Sequence, residues 1–418
     1  MLVKQKFNGT AVKKYIFIDA YVGGIGGGQF YVNKKIEFLQ RDEWDVLLVT
    51  GSTSSIILPN LRKTKLLTIP EVRFHLREVS RKKRDEILSI ICKEISDFTD
   101  AIIESNAMHS AEWGELLAEK LHCKHIIYSL SEVNTIYSKY YYDFYNFKLQ
   151  RKEIAGITQD SLKNLFSNYK TISDEESYFL SAYGAEGTVE YNVPIIESIE
   201  RKDINIGIVA RIDKPFVNTA IDEILEFSKR HNNSKINLLI LGYQPGKEIP
   251  KSIGHKLRDV PNIILYALEM MTPIPKSFYR KVDVVISSAG CARISSLENV
   301  PTIAIDANDY KPIGIVGYTT QKYVYRDKVA EYSTKELLEK ILFQGFCKDK
   351  EFSCNEFLFN SEERYRKQMD FIKNSVQKKE YFDLSHPHRR IFDLKWLVKR
   401  YLSIWLIQKI KSSLLWKF

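Results

Sequence analysis

Cysteine is scarce in this chain. There are five in 418 residues, at positions 92, 123, 291, 347 and 354, odd in number and with no CxxC pair. That pattern argues against a disulfide framework or a zinc cluster and for free thiols in a reducing cytosol. Long hydrophobic runs are missing too. No stretch offers the ~18 uncharged apolar residues of a membrane-spanning helix. The first apolar run, 15–18, is far shorter than the ~7–15 residues of a secretion-signal core. The eight histidines are dispersed, and neither HExxH nor a cysteine quartet occurs, so metal chemistry finds no support. Asp306 and Asp309 could suggest a Mg²⁺ pair, but they read more simply as a turn. Broad positive charge is absent from the body. The net charge is +10, and residues 389–418 hold eight basic side chains against Asp393, so +7 sits in the tail and +3 remains for the other 388 residues. Nucleic acid is therefore not expected as a partner.

What is present is a repeated alternation. Apolar runs at 15–19, 44–51, 65–70, 100–105 and 124–132 read as strands buried on both faces, with helical segments between them. The segment 73–98 is highly charged and helical in period, with Ile87, Leu88, Ile91 and Ile95 on one side. The middle, 137–187, reads mostly helical. A second series of strands follows at 205–210, 236–242, 262–268, 282–288 and 301–306. The pattern predicts two doubly wound α/β domains. The boundaries are 1–191, a linker at 192–203 marked by Asn192, Pro194 and a charge cluster, a second domain at 204–355, a helix at 356–385 crossing back to the first domain, and a tail at 386–418. Ligands of such sheets bind beyond the carboxyl ends of the strands, in a cleft expected between the two halves.

Three loops could carry chemistry. Five glycines in six residues, including Gly26, Gly27 and Gly28, lie at the first strand-to-helix junction, where backbone amides can approach a phosphate. The dinucleotide spacing GxGxxG fails, because Gln29 stands in the sixth position. Arg211 and Lys214 follow the strand 205–210, placed to neutralise a departing diphosphate. The small-residue run with Ser288, Gly290, Cys291 and Ala292 opens a helix, suited to a donor's phosphates or sugar. Glu298 could accept from ribose hydroxyls. Each loop also has a plain reading as a turn, a solvated loop or a packing segment.

The second half resembles the C-terminal domain of the retaining GT-B glycosyltransferases (family 4-like), related to sucrose synthase and bacterial lipopolysaccharide mannosyltransferases. The residues that carry this are ARIDKP, LLILGYQPGKE, NIILYAL, FYRKVDVVISS and VPTIAID, in that order. The resemblance implies a GT-B fold, no cofactor, an NDP-sugar donor, and Arg211 and Lys214 on its diphosphate. The family's glutamate pair is not intact: Gly290 stands in the first position. The second falls on Glu298 counted from Ser287, or on Ile294 counted back from Pro301, and Glu298 is the acid available. In the first half GGIGGG sits where the family has its glycine-rich loop. Ser131-Glu132 ends a segment that ends in His-Asp in the family. Glu132, His109 and Glu112 are the candidate catalytic groups, as base or acceptor-orienting side chains.

The run YSKYYYDFYNF (137–147) suits a membrane interface, a sugar-stacking wall or helix packing. In the tail, Trp396, Trp405 and Trp416 alternate with basic residues such as Lys399 and Arg400. That describes a helix in the headgroup plane of an anionic membrane surface. The expected protein is thus a cytoplasmic enzyme, peripheral on the inner face of the membrane. It would move sugar to a glycan or lipid-linked acceptor in bacterial capsule or lipopolysaccharide synthesis. An NDP-sugar 2-epimerase of the same fold and a non-catalytic sugar-nucleotide-binding partner are the alternatives.

Overall fold

The apolar runs become the inner strands of two largely parallel sheets. The computed structural model describes residues 12–384 apart from 20–21, 25, 53–55, 57, 96–97, 132–133, 182, 184–186, 244–248, 259, 349–350, 354–359 and 376–379. The chain divides into two units, Met1–Gly184 with Asn360–Phe418, and Ala185–Phe359.

The first unit holds β1 (Lys13–Asp19), β2 (Trp44–Thr50), β3 (Lys65–Thr68), β4 (Asp100–Ser105), β5 (Lys124–Ser129) and β6 (Ile154–Gly156). All are parallel, in the order β3-β2-β1-β4-β5-β6. Helices α1 (Gly27–Arg41), α2 (Pro59–Lys63), α3 (Arg81–Glu94), α4 (Met108–Leu121), α5 (Lys139–Gln150) and α6 (Gln159–Phe166) connect and cover them. Tyr15, Ile16, Phe17 and Ile18 are all fully buried, which is why β1 lacks any polar alternation. Ile16 and Ile18 pack with Leu47, Ile103 and Trp113 on one face. Tyr15 and Phe17 face α1, where the Lys35 ammonium lies over both rings. Most of the tyrosine-rich run packs inward: Tyr141, Phe144 and Tyr145 of α5 join Leu162 and Phe166. Tyr137, just before α5, stays 54% exposed.

The second unit begins with β7 (Thr188–Val189) and α7 (Pro194–Glu197). It continues through β8 (Ile204–Val209), α8 (Pro215–Arg230), β9 (Ile236–Tyr243), α9 (Lys251–Arg258), β10 (Ile263–Glu269), β11 (Ile274–Pro275), α10 (Lys276–Arg280), β12 (Val284–Ser287), α11 (Ala289–Ser296), β13 (Thr302–Ile305), β14 (Pro312–Ile315) and α12 (Thr334–Leu342). Its sheet runs β10-β9-β8-β12-β13-β14, parallel except for β14, and β7 pairs separately with β11. Ile206 and Ile208 pack under α8 and α12, while Val209 and Leu241 pack with Phe278 and Ile294 on the other face. The stretch expected as a linker, 192–203, falls within this unit. The reason is its apolar content: Ile196 and Ile199 are buried in the unit's core.

The last described helix, α13 (Ser361–Asn374), belongs to the first unit. A buried polar network fixes it there. The Gln368 amide donates to Tyr31 Oη at 2.6 Å, and Tyr183 donates to Gln368 Oε1 at 2.8 Å. Tyr31 in turn donates to Glu104 at 2.8 Å, and Glu104 is paired with Lys35 inside the core. A second closed network surrounds Glu115. It meets His125 Nδ1 at 2.7 Å and Lys148 Nζ at 2.6 Å, and accepts the Phe382 amide at 2.9 Å. Burial works to raise its pKa, but Lys148 and His125 outweigh this and hold it at about 2.

Candidate functional site

In the second unit the strand order reverses direction between β8 and β12, the point at which ligands bind in open α/β sheets. Arg211 and Lys214 stand just past β8. Gly242 fixes the approach of this loop. It has φ +149°, and a Cβ there would lie 1.8 Å from the Ala210 carbonyl oxygen. The Ile212 amide donates to the Gly242 carbonyl at 3.2 Å. Arg211 is over a third exposed and pairs with Asp213 at 3.2 Å, so its charge lies at the loop surface. Lys214 caps α8 ahead of Pro215.

Beside them, Ser287 Oγ donates to the Val209 carbonyl at 2.6 Å, tying β12 to β8. Ser288 spends its hydroxyl on the Ile305 carbonyl at 2.7 Å, so no side chain caps α11. Ala289 has φ +52°, a left-handed conformation that costs a non-glycine residue roughly 1–2 kcal/mol. A Cβ at Gly290 would meet nothing within 4 Å. The Ala289 amide donates to the Tyr323 carbonyl at 2.7 Å, and beyond it the first turn of α11 has no side-chain cap and is open at Gly290, where an anion could approach. Burial pushes the Cys291 thiol up, while Lys214 and Arg293 pull the other way, so the Lys214 charge reaches this turn. Ala292 is buried behind it.

Glu298 is not brought to these groups. It lies past the C-terminus of the eight-residue α11 and accepts a hydrogen bond from the Thr188 hydroxyl. At 1.5 Å rise per residue the helix separates it from Gly290 by roughly 12 Å. Asp306 and Asp309 form a turn: Asp306 accepts the amides of Asn308 and Arg326, each at 2.8 Å, and Asp309 is forked by Arg326. No group of three metal-ligating side chains occurs among the described residues.

The glycine loop lies in the first unit, at the β1 end. Gly24 has φ +72°. Gly26 is the N-cap of α1 with no side-chain hydrogen bond, and a Cβ at Gly27 would meet open space. A Cβ at Gly28 would come 3.2 Å from Leu130.

His109 and Glu112 sit on α4, directly after β4, and the structure adds a partner that the sequence did not reveal, His75. Glu112 is fully buried. Its Oε2 accepts the Leu76 amide at 3.1 Å and lies 3.1 Å from His75 Nδ1. Tyr141 Oη is 2.5 Å from the same Nδ1, and Tyr137 Oη is 3.2 Å from Nε2. The His109 and His75 rings meet edge to face at 5.8 Å. Burial, with His75 and Arg73 adding to it, pushes the His109 pKa down to about 4, so its ring is neutral at pH 7. Burial and the nearby Glu112 push the Tyr140 and Tyr141 phenols up, so both remain protonated.

Unlike the closed Glu115 network, this cluster is unfinished. Both amide atoms of Asn106 and His109 Nε2 are buried without a hydrogen-bond partner, and Tyr140 Oη lies close enough to Glu112 for its phenol to be held protonated by it. Buried polar atoms are nearly always paired, which makes this cluster a candidate for holding a polar group. His75 escaped the sequence reading because 73–98 has a helical period. In fact α3 starts only at Arg81, capped by Ser80, and Leu76–Glu78 is a separate short turn. Pro70 and Ser80 were the available signals. Glu132 and the tail residues Trp396, Lys399, Arg400, Trp405 and Trp416 lie outside the described residues.

No family model matches the chain, and no curated protein matches its sequence. Solved structures do match its fold. A glycosyltransferase from Rickettsia africae ESF-5 superposes with TM-score 0.62 at 11% identity, over 89% of this chain and all of that one. A candidate UDP-N-acetylglucosamine 2-epimerase from Listeria monocytogenes gives 0.52 at 12% identity, over 90% and 100%. The Anabaena protein HepE, solved with UDP-glucose, gives 0.53 at 9% identity, over 85% and 99%. The fold is GT-B. Each unit is one doubly wound half of the GT-B fold, with Arg211 and Lys214 following β8 and His109 and Glu112 following β4.

Proposed function

We propose that this chain is a glycosyltransferase that moves a sugar from a nucleotide diphosphate to a hydroxyl of a glycan or lipid-linked acceptor. The observation that carries the reading is the first turn of α11, open at Gly290 and without a side-chain cap, near Lys214 of the loop that also carries Arg211, at the β8/β12 reversal. Two cations and a helix N-terminus stabilise the charge that develops on a departing diphosphate, without a metal or cofactor. UDP is the first nucleotide to try, because HepE, of the same fold, was solved with UDP-glucose. The acceptor is assigned to the unfinished polar cluster of the first unit, whose mixed donors and acceptors suit a polyol. The basic, tryptophan-bearing tail suits an anionic leaflet, which would put the enzyme on the inner face of the membrane where lipid-linked glycans are built.

The test is thermal shift with UDP, GDP, dTDP, CDP and CMP in EDTA. One nucleotide should raise the melting temperature, and Arg211→Ala should weaken that shift. No shift with any nucleotide would sink the reading. The Listeria likeness favours a second possibility, 2-epimerisation. Incubation with UDP-N-acetylglucosamine alone separates the two: a C2-inverted product supports the epimerase and removes the transferase.

A further inference from the structure

We propose that the first unit binds an acidic sugar, with Arg77 and Arg84 holding its carboxylate or phosphate and the exposed ring of Tyr137 stacking on its apolar face. This rests on the assignment of the acceptor to the first unit and names the chemical class of that acceptor. It needs nothing from the second unit.

The two arginines stand on successive elements of one segment. Arg77 is in the short turn Leu76–Glu78, and Arg84 is near the start of α3. Both are partly buried. The Nε of each is buried and has no hydrogen-bond partner. A guanidinium carries five donors and a charge that it does not shed, so burial calls for a paired carboxylate. The carboxylates around these two are spent elsewhere. Glu112 accepts the Leu76 amide at 3.1 Å and meets His75 and Tyr140. Glu71 and Glu86 pair with Lys83, at 3.7 and 3.6 Å. Burial, with Arg81 adding like charge, holds the Arg84 pKa below the ordinary arginine value, although Asp85, Tyr140 and Glu112 pull the other way. Such a cation is short of a counter-ion, and an arriving oxyanion would supply it.

The tyrosines at the start of α5 bring the two cations to one place. The Arg77 guanidinium lies 5.9 Å from the centre of the Tyr141 ring. Tyr140 and Tyr141 meet edge to face at 5.1 Å, and both arginines act electrostatically on Tyr140. Tyr137 lies 5.1 Å from Tyr141, ring to ring, and also feels Arg77. Arg77 is thus a common neighbour of three tyrosines, and Tyr137 is the exposed one. An open phenol ring beside a cation suits a pyranose that bears a negative charge. The C–H face of the sugar packs on the aromatic, and its oxyanion meets the guanidinium as a fork. A neutral sugar would leave both charges unpaired, so the site should discriminate against it.

The test is calorimetric titration of the full chain, in phosphate-free buffer, with methyl glucuronide, glucose 6-phosphate, methyl glucoside and inorganic phosphate. The charged sugars should bind roughly 10–100-fold more tightly than the glucoside, the gain expected of a hydrogen-bonded charge. The tighter of the two tells a carboxylate from a phosphate. Arg77→Gln and Arg84→Gln should each abolish the preference. Arg77→Lys, which keeps the charge and loses the fork, should retain part of it. Tyr137→Ala should weaken all three sugars alike. A cooperative melt like that of wild type shows that the variants fold; should a glutamine variant fail to, the lysine variants carry the comparison. Equal binding of charged and neutral sugars, no binding of any sugar, or a preference untouched by either arginine change overturns the inference. Inorganic phosphate binding as tightly as glucose 6-phosphate also overturns it, since the sugar ring then contributes nothing. An acidic sugar that binds while every nucleotide fails to shift the melt removes the transferase reading and leaves this site standing.

Discussion

His109 shows how one side chain can tie stability to pH. Its pKa falls from the ordinary 6.5 to about 4 because burial penalises the imidazolium and His75 and Arg73 add like charge. Between those values the unfolded chain binds a proton that the folded one does not. Stability should thus be complete above about pH 6.5 and fall as pH drops toward 4, by up to ~3 kcal/mol from this group. Urea unfolding at a series of pH values checks this: the slope between pH 4 and 6.5 should flatten in His109→Gln. His109 and Glu112 were legible as candidates because they follow an apolar strand within one helical turn. His75 was not, because its role depends on a bend at 74–80 that a charge-rich helical period conceals. Glu298 was chosen as the only acid available at the second position of the pair, and in the structure it stands past the end of α11, where it accepts the Thr188 hydroxyl.

Among the elements, the inner strands were the most legible. Runs such as 100–105 and 236–242 are apolar throughout, and the observed β4 and β9 match them to within one residue. Short pieces were invisible: β6 has three residues and β7 and β11 have two each, too few for any period to register. The region 137–187 read as helical because α5 and α6 dominate it. Gly242 at the end of β9 gives this scale its prediction. Its positive φ and the 1.8 Å approach to Ala210 leave no room for a methyl group. Gly242→Ala should cost more than ~1 kcal/mol and displace the Arg211 loop. Chemical unfolding together with nucleotide affinity measures both effects, and a variant with wild-type affinity would show that the loop position does not matter for binding.

At the level of the whole molecule, the alternation of strands and helices was enough to predict two doubly wound units, and the solved structures bear out the GT-B fold. The donor groups read from sequence fall in both units: Gly26–Gly28 in the first, and Arg211, Lys214 and Ser288–Ala292 in the second. Hydrogen exchange with the stabilising nucleotide alone separates them. Amides at 210–216 and 287–293 should be protected, and those at 26–30 should change little. Protection confined to 26–30 would move the phosphates to the glycine loop.

The return of α13 to the first unit also sets an order of events at the ribosome. That unit's early part is finished at residue 184, yet Tyr31 waits for Gln368, and Glu115 for the amide of Phe382. Some 200 residues separate the two, which at translation speeds of about 5–20 residues per second is on the order of 10–40 s. The second unit, continuous in sequence, can therefore close first. The nascent amino-terminal half must meanwhile be sheltered, with part of its polar core unsealed, until the chain is nearly complete.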